Sequence, residues 1–158
     1  ILSITQNKKR KNLKEFLLGK SKDVKYIIVM KYFKLREFIC NCGCGKNKIN
    51  RTFVRILSAA RENSKNKDGT DIPFIITSGY RCEKHPESIK YTKRNPNNTS
   101  EHTKGLAADI LVKNSRERAV ILGALMTAGF SRFGIGHNFL HVDLADEDEK
   151  PQGVVWTY

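Results

Sequence analysis

The chain holds four histidines, His85, His102, His137 and His141, all in its second half, with Asp109 and Asp143 close by in the sequence. Two histidines and one carboxylate, with a fourth position left open, form a ligand set for catalytic zinc. Such an ion lowers the pKa of its water toward about 7 and so supplies a nucleophile at neutral pH. His102 and Asp109 bracket Thr-Lys-Gly-Leu-Ala-Ala. A histidine in a turn and an aspartate on the strand after it can converge on one ion, Gly105 letting the chain bend between them. Leu140-His141-Val142-Asp143-Leu144 alternates apolar and polar side chains. His141 and Asp143 therefore share one face of a strand while Leu140, Val142 and Leu144 pack the other. There is no HExxH signature. Spacing alone leaves two readings open: a metal site, or polar residues satisfied within the surface and core.

The elements that must position these groups are legible. Asn50 caps a helix over about 51–62, with Phe53, Ile56, Leu57 and Ala60 on one apolar stripe. Residues 73–77 read as a short buried strand ended by Ser78-Gly79. Residues 83–101, polar and rich in Asn and Pro, suggest no regular structure, and loops of that length are usually functional or disordered. Residues 106–112 read as a strand. Asn114 with Glu117 is a capping-box-like start to a helix ending near Ala128, with Gly129 beyond it. Strands follow near 130–135 and 139–144, then an acidic run at 146–149 and the closing Val-Val-Trp-Thr-Tyr. The fold class is α+β: a small antiparallel sheet with two flanking helices.

Length and composition fit one ordinary domain of 158 residues with 39% hydrophobic residues. No apolar run is long enough to span a membrane. Net charge is +13; residues 1–29 carry eight basic and two acidic side chains, +6 of that total. A basic head of this kind, Lys8 to Lys25, attracts polyanions or is simply a solvated, poorly ordered tail, and the second reading is favoured. Met30 opens a stretch that reads like a natural domain start. The expected division is a leader or extension over 1–29 and a folded domain over 30–158. No secretory signal is visible, which leaves localisation open. Cys40, Cys42 and Cys44 alternate, and Cys82 stands alone. A second metal site and a disulfide to Cys82 are the functional readings; reduced thiols packed as small hydrophobes are the favoured one.

Ser-Gly-Tyr-Arg81, then Ser-x-His102-x-x-Gly105-x-Ala107-x-Asp109, then His141-Val-Asp143, in that order, resemble the zinc D-Ala-D-Ala carboxypeptidase family. Its relatives include vancomycin-resistance D,D-dipeptidases, phage L-alanyl-D-glutamate endopeptidases and the Hedgehog signalling domain. The resemblance covers about residues 31–158. It implies a Hedgehog/DD-peptidase-like zinc fold, with Zn2+ held by His102, Asp109 and His141. It also implies hydrolysis of an amide bond in peptidoglycan peptides, the expected partners. Arg81 matches the family arginine that holds the substrate's carbonyl or carboxylate, a task suited to a guanidinium fork. Several members carry an acidic general base three residues before the last histidine ligand, where this chain has Asn138. That leaves His137 and Asp143 as candidates, with Asp143 also suited to orienting a ligand histidine and Glu101 a weaker alternative. Family habit points to a phage or prophage lysin released at lysis, or to the same fold retained as a metal-containing binding module without turnover.

Overall fold

A computed structural model describes residues 31–158. The expectations placed on the basic segment, on its polyanion contact and on Met30 lie outside the described residues. After a 3-10 turn at Leu35–Phe38, helix α1 runs Arg51–Glu62. Strand β1 (Ile76–Ser78), helix α2 (Pro86–Arg94), the one-turn helix α3 (Glu101–Lys104) and strand β2 (Ala107–Leu111) follow. Helix α4 (Ser115–Thr127) precedes β3 (Arg132–Ile135), β4 (Phe139–Asp143) and β5 (Val154–Thr157). The fold is α+β, with a five-stranded sheet in the order β1-β2-β4-β3-β5. The first four strands pair antiparallel, whereas β5 lies parallel to β3.

The sheet's two faces have different chemistry because side chains alternate along each strand. Ala108 and Ile110 of β2, Leu140 and Val142 of β4 and Phe133 of β3 face the core. There they meet Phe53 and Leu57 from α1 and Ile121 and Leu125 from α4, all of them buried. The opposite face receives Asp109, His141, Asp143, Arg132 and Gly134 from the intervening positions. In register, Asp109 stands across from His141, Ala107 across from Asp143, and Gly134 across from His141 on its other side.

Both long helices start where the sequence places them. The Asn50 carboxamide oxygen accepts from the backbone N–H groups of Thr52 (2.8 Å) and Phe53 (3.1 Å), and that of Asn114 accepts from Glu117 N–H (2.9 Å). The Glu117 side chain reaches back one residue further than a capping box requires, to Lys113 N–H.

The stretch 83–101 departs from its expected irregularity, because nine of its residues form α2. His85 accepts at Nδ1 from Glu87 N–H (3.1 Å), Pro86 occupies the first turn, and Lys93 and Arg94 sit in the last turn, where the helix dipole favours cations. Those end signals were in the sequence. An apolar stripe was not: Ser88 is the buried residue of α2, and Ile89 is exposed. His85 is thus a helix cap. His102, expected in a turn, lies in α3, and the C-terminal Val-Val-Trp-Thr supplies the parallel edge strand.

Gly105 joins α3 to β2 and has a φ of +74°. A Cβ there would sit 2.1 Å from the Lys48 carbonyl oxygen. The neighbouring backbone is itself tied in, since Asn50 N–H donates to the Gly105 carbonyl (2.9 Å). Gly69 has a similar φ of +82° with open space around it. Gly69→Ala should therefore lose about 1 kcal/mol from left-handed strain alone. Gly105→Ala should lose at least twice as much in chemical denaturation; equal losses would mean that the contact with Lys48 is readily relieved.

Candidate metal centre

Asp109 and His141 meet because β2 and β4 pair in register, which sets directly opposed side chains about 5 Å apart at Cβ. His102 arrives from α3. The left-handed Gly105 ends that helix, Leu106 N–H closes onto the Glu101 carbonyl (2.8 Å), and the chain turns directly into β2. The result is a group in which one ligand atom from each of His102, Asp109 and His141 lies within 4.8 Å of the others. All three residues are buried.

The hydrogen bonds settle which ring nitrogens face inward. His102 Nδ1 lies 2.7 Å from the Gly79 carbonyl oxygen. That oxygen can only accept, so Nδ1 carries the proton and Nε2 presents a lone pair. His141 Nε2 lies 3.1 Å from Asp143 Oδ2, so it donates outward and leaves Nδ1 facing the group. His102 Nε2 and His141 Nδ1 are then 3.2 Å apart, and Asp109 Oδ1 lies 3.2 Å from the first and 2.9 Å from the second.

Three electron pairs pointed at one another in a buried space repel unless a cation or a proton sits between them. Donors about 2.0 Å from a tetrahedral zinc stand about 3.3 Å apart, close to the spacings here. The donor set therefore fits zinc. In the metal-free protein a proton takes over part of the task. Burial alone would push both histidines down, and for His102 it prevails. For His141 the hydrogen bonds to Asp109 and Asp143 outweigh burial and raise its pKa. Burial would likewise raise Asp109, but its hydrogen bonds to the two histidines hold it well below the usual carboxylate range.

Around this group lies a second set of contacts. Asp143 is almost fully enclosed: Oδ1 accepts from Arg132 Nε (2.7 Å) and Ala145 N–H (3.0 Å), and Oδ2 from His141. Arg132 and Asp143 form a buried ion pair, and removing one partner of such a pair typically costs 3–5 kcal/mol. The Arg132 guanidinium also covers the Trp156 ring at 5.4 Å. Arg81 approaches from the other side. Its Nε donates to Ser78 Oγ (2.8 Å), and its terminal nitrogen pairs with Asp109 Oδ2.

The remaining candidates separate clearly. His137 lies exposed in the β3–β4 turn, where its carbonyl accepts from Arg118; the structure does not bring it into the group. Asn138 is exposed beside it. Glu101 is buried and ion-paired to Lys150 (2.8 Å) and Lys104 (3.2 Å). Trp156 and Tyr158 are neighbours that sequence reasoning missed, with ring centroids 5.5 Å and 6.5 Å from that of His141. Their alternation in Val-Val-Trp-Thr-Tyr was a signal for a strand, but not for which sheet edge it would join.

A buried His–Asp–His group on one face of an α+β sheet, with an arginine at its edge, has the donor set of a mononuclear metal site. A family model described as Peptidase M15 matches residues 31–143, and the chain belongs to that family, whose metallopeptidases use zinc. No curated protein and no solved structure matches the chain.

His141→Ala should abolish tight zinc binding at the His102–Asp109–His141 group, measured by competition with a chromophoric chelator. Asp143→Asn should weaken it about 10–100-fold, the usual effect of losing a ligand's outer partner. Protons compete with the metal for histidine nitrogens. Affinity should therefore fall as pH drops through the raised His141 pKa. A zinc affinity independent of pH across the histidine range would exclude His102 and His141 as ligands.

Proposed function

We propose that the protein is a zinc peptidase that hydrolyses an amide bond in the stem peptides of peptidoglycan, as a D,D-carboxypeptidase or an endopeptidase. The observation that carries this reading is the inward convergence of His102 Nε2, Asp109 Oδ1 and His141 Nδ1 beside the Arg81 guanidinium. A zinc ion held by these three supplies Lewis acidity and a water acidified toward neutral pH.

The chain's own residues do the rest. Gly79 and Asp143 fix the two imidazoles by accepting hydrogen bonds from their outward N–H groups. Arg81, anchored by Ser78 and about one-fifth exposed, offers charge-assisted donors to the carbonyl oxygen or terminal carboxylate of the substrate. Residues of α2 and the segment after it line a cleft of about 510 Å³. Ser88, Thr92, Thr99 and Thr103 bring hydroxyls to it, and Thr103 directly follows His102. The lining is mixed, since Ile89, Glu83 and Lys93 join these hydroxyls. Asp143 is a positioning residue, because both its oxygens are already engaged. Proton transfer then falls to His137, exposed in the β3–β4 turn.

One observation favours a second reading, a metal-containing binding module without turnover. His137 lies in the turn four residues before His141, at most about 13 Å away along an extended chain, and Asn138 cannot carry a proton.

Mass spectrometry of soluble muropeptides after incubation, with and without a chelator, distinguishes the two. The expected result is chelator-sensitive loss of a terminal D-Ala or a cut within the stem or cross-bridge. Arg81→Ala should lower kcat/KM by about 100-fold with zinc still bound. His137→Ala should lower kcat by about 100-fold or more. Intact muropeptides from folded, zinc-loaded parent protein would favour the binding module.

A further inference from the structure

The second group of metal-binding side chains lies away from the catalytic centre. Cys40, Cys42, Cys44 and Cys82 are free thiols whose sulfurs all lie within 4.8 Å of one another. Cys40 Sγ and Cys42 Sγ are 3.3 Å apart, and Cys42 Sγ and Cys82 Sγ 3.6 Å. The reading of these cysteines as small packed hydrophobes fits half of them. Cys40 and Cys82 are buried against Tyr80, but Cys42 and Cys44 are exposed and still turn their sulfurs toward the buried pair.

The backbone is shaped for this convergence. Residues 41–44 form a turn, and Gly43 and Gly45 take φ values of +84° and +68° with nothing near them. These left-handed glycines alternate with Cys42 and Cys44 and let a short segment wrap around a point. Cys40 N–H donates to the Lys46 carbonyl (2.9 Å) and closes the loop. From the other side, Cys82 N–H donates to Cys40 Sγ (3.3 Å), a backbone-to-sulfur bond that favours a thiolate at Cys40.

We infer that Cys40, Cys42, Cys44 and Cys82 bind a second, structural zinc ion as a four-thiolate site. Sulfurs about 2.3 Å from a tetrahedral zinc stand about 3.8 Å apart; the 3.3 Å and 3.6 Å spacings lie slightly inside that value, and all four sulfurs fall within 4.8 Å. Each ligating thiol gives its proton to solvent and its sulfur electron pair to the metal, so no oxidant or reductant is needed. Four protein ligands leave no open position, so the ion performs no hydrolysis. Its effect is mechanical. It fastens the 40–44 turn to Cys82, the residue after Arg81. Arg81 N–H donates to the His102 carbonyl (3.2 Å) and Tyr80 N–H to the Phe38 carbonyl (3.0 Å), so a clamp at Cys82 restrains the segment that carries Arg81.

The test is metal content and spectroscopy of the full chain purified anaerobically. The parent should hold two equivalents of zinc. On cobalt substitution it should show intense thiolate-to-metal charge-transfer absorption in the near ultraviolet. His141→Ala should keep one equivalent and the whole of that absorption. The double variant Cys42→Ser, Cys44→Ser changes two exposed side chains and leaves the buried pair in place; it should keep one equivalent and lose the absorption. A parent with one equivalent, no thiolate absorption and four thiols open to alkylation would overturn the inference. So would a disulfide among the four, read as a mass lower by two hydrogens. Because the readouts are thiolate-specific, they stand whether or not the protein cleaves peptidoglycan.

Discussion

His102, Asp109 and His141 are buried with their electron pairs turned toward one another, and the surrounding structure exists in large part to hold them so. Left to themselves these groups would separate or take up water. They stay together because two are cross-strand partners in a register that the core enforces. Slipping β4 by one residue would carry Leu140 and Val142 to the polar face and His141 into the core. Hydrophobic burial on one side of the sheet is thus what sets Asp109 against His141 on the other.

The third donor depends on a different device. His102 comes from a helix of four residues, too short to be stable alone. It is held by Gly105 at its end, by the Gly79 carbonyl on its ring and by Arg81 N–H on its own carbonyl. The segment 78–82 touches almost every part of the site. Ser78 anchors Arg81, Gly79 orients His102, Tyr80 joins the 3-10 turn, Arg81 faces Asp109, and Cys82 meets Cys40. Gly79 tolerates no side chain, since a Cβ would lie 2.6 Å from Phe38 Cα. Orientation of the His102 ring and placement of Arg81 therefore pass through five consecutive residues.

Electrostatic order extends outward from the donors. His141 donates to Asp143, Asp143 accepts from Arg132, and Arg132 lies over Trp156. This chain of contacts explains why the C-terminal strand matters to the site. β5 brings Trp156 and Tyr158 over Gly134, where a Cβ would meet Tyr158 at 2.6 Å and the Trp156 Nε1 at 2.8 Å. A glycine opposite His141 leaves room for an aromatic wall beside it. Those aromatic residues fall beyond the matched range 31–143.

The sequence by itself determined the elements whose signals are local. Asn50 and Asn114 announce their helices because a cap is satisfied by neighbours within three residues, and strand alternation at 140–144 places His141 opposite Leu140 because side chains alternate by chemistry of the backbone. The ordered motifs around His102, Asp109 and His141 named the donors. Tertiary structure decided what local signals do not encode. Helix α2 lacked an apolar stripe, so its caps carried no weight until packing was known. The parallel placement of β5 depends on an edge of the sheet that no local pattern specifies. Asp143 shares a face with His141 in the sequence reading, but only the arrival of Arg132 from the neighbouring strand occupies its second oxygen and makes it an orienting group. The four cysteines are separated by up to 42 residues, and sulfur-to-sulfur distance is a property of how the chain closes, not of its spacing.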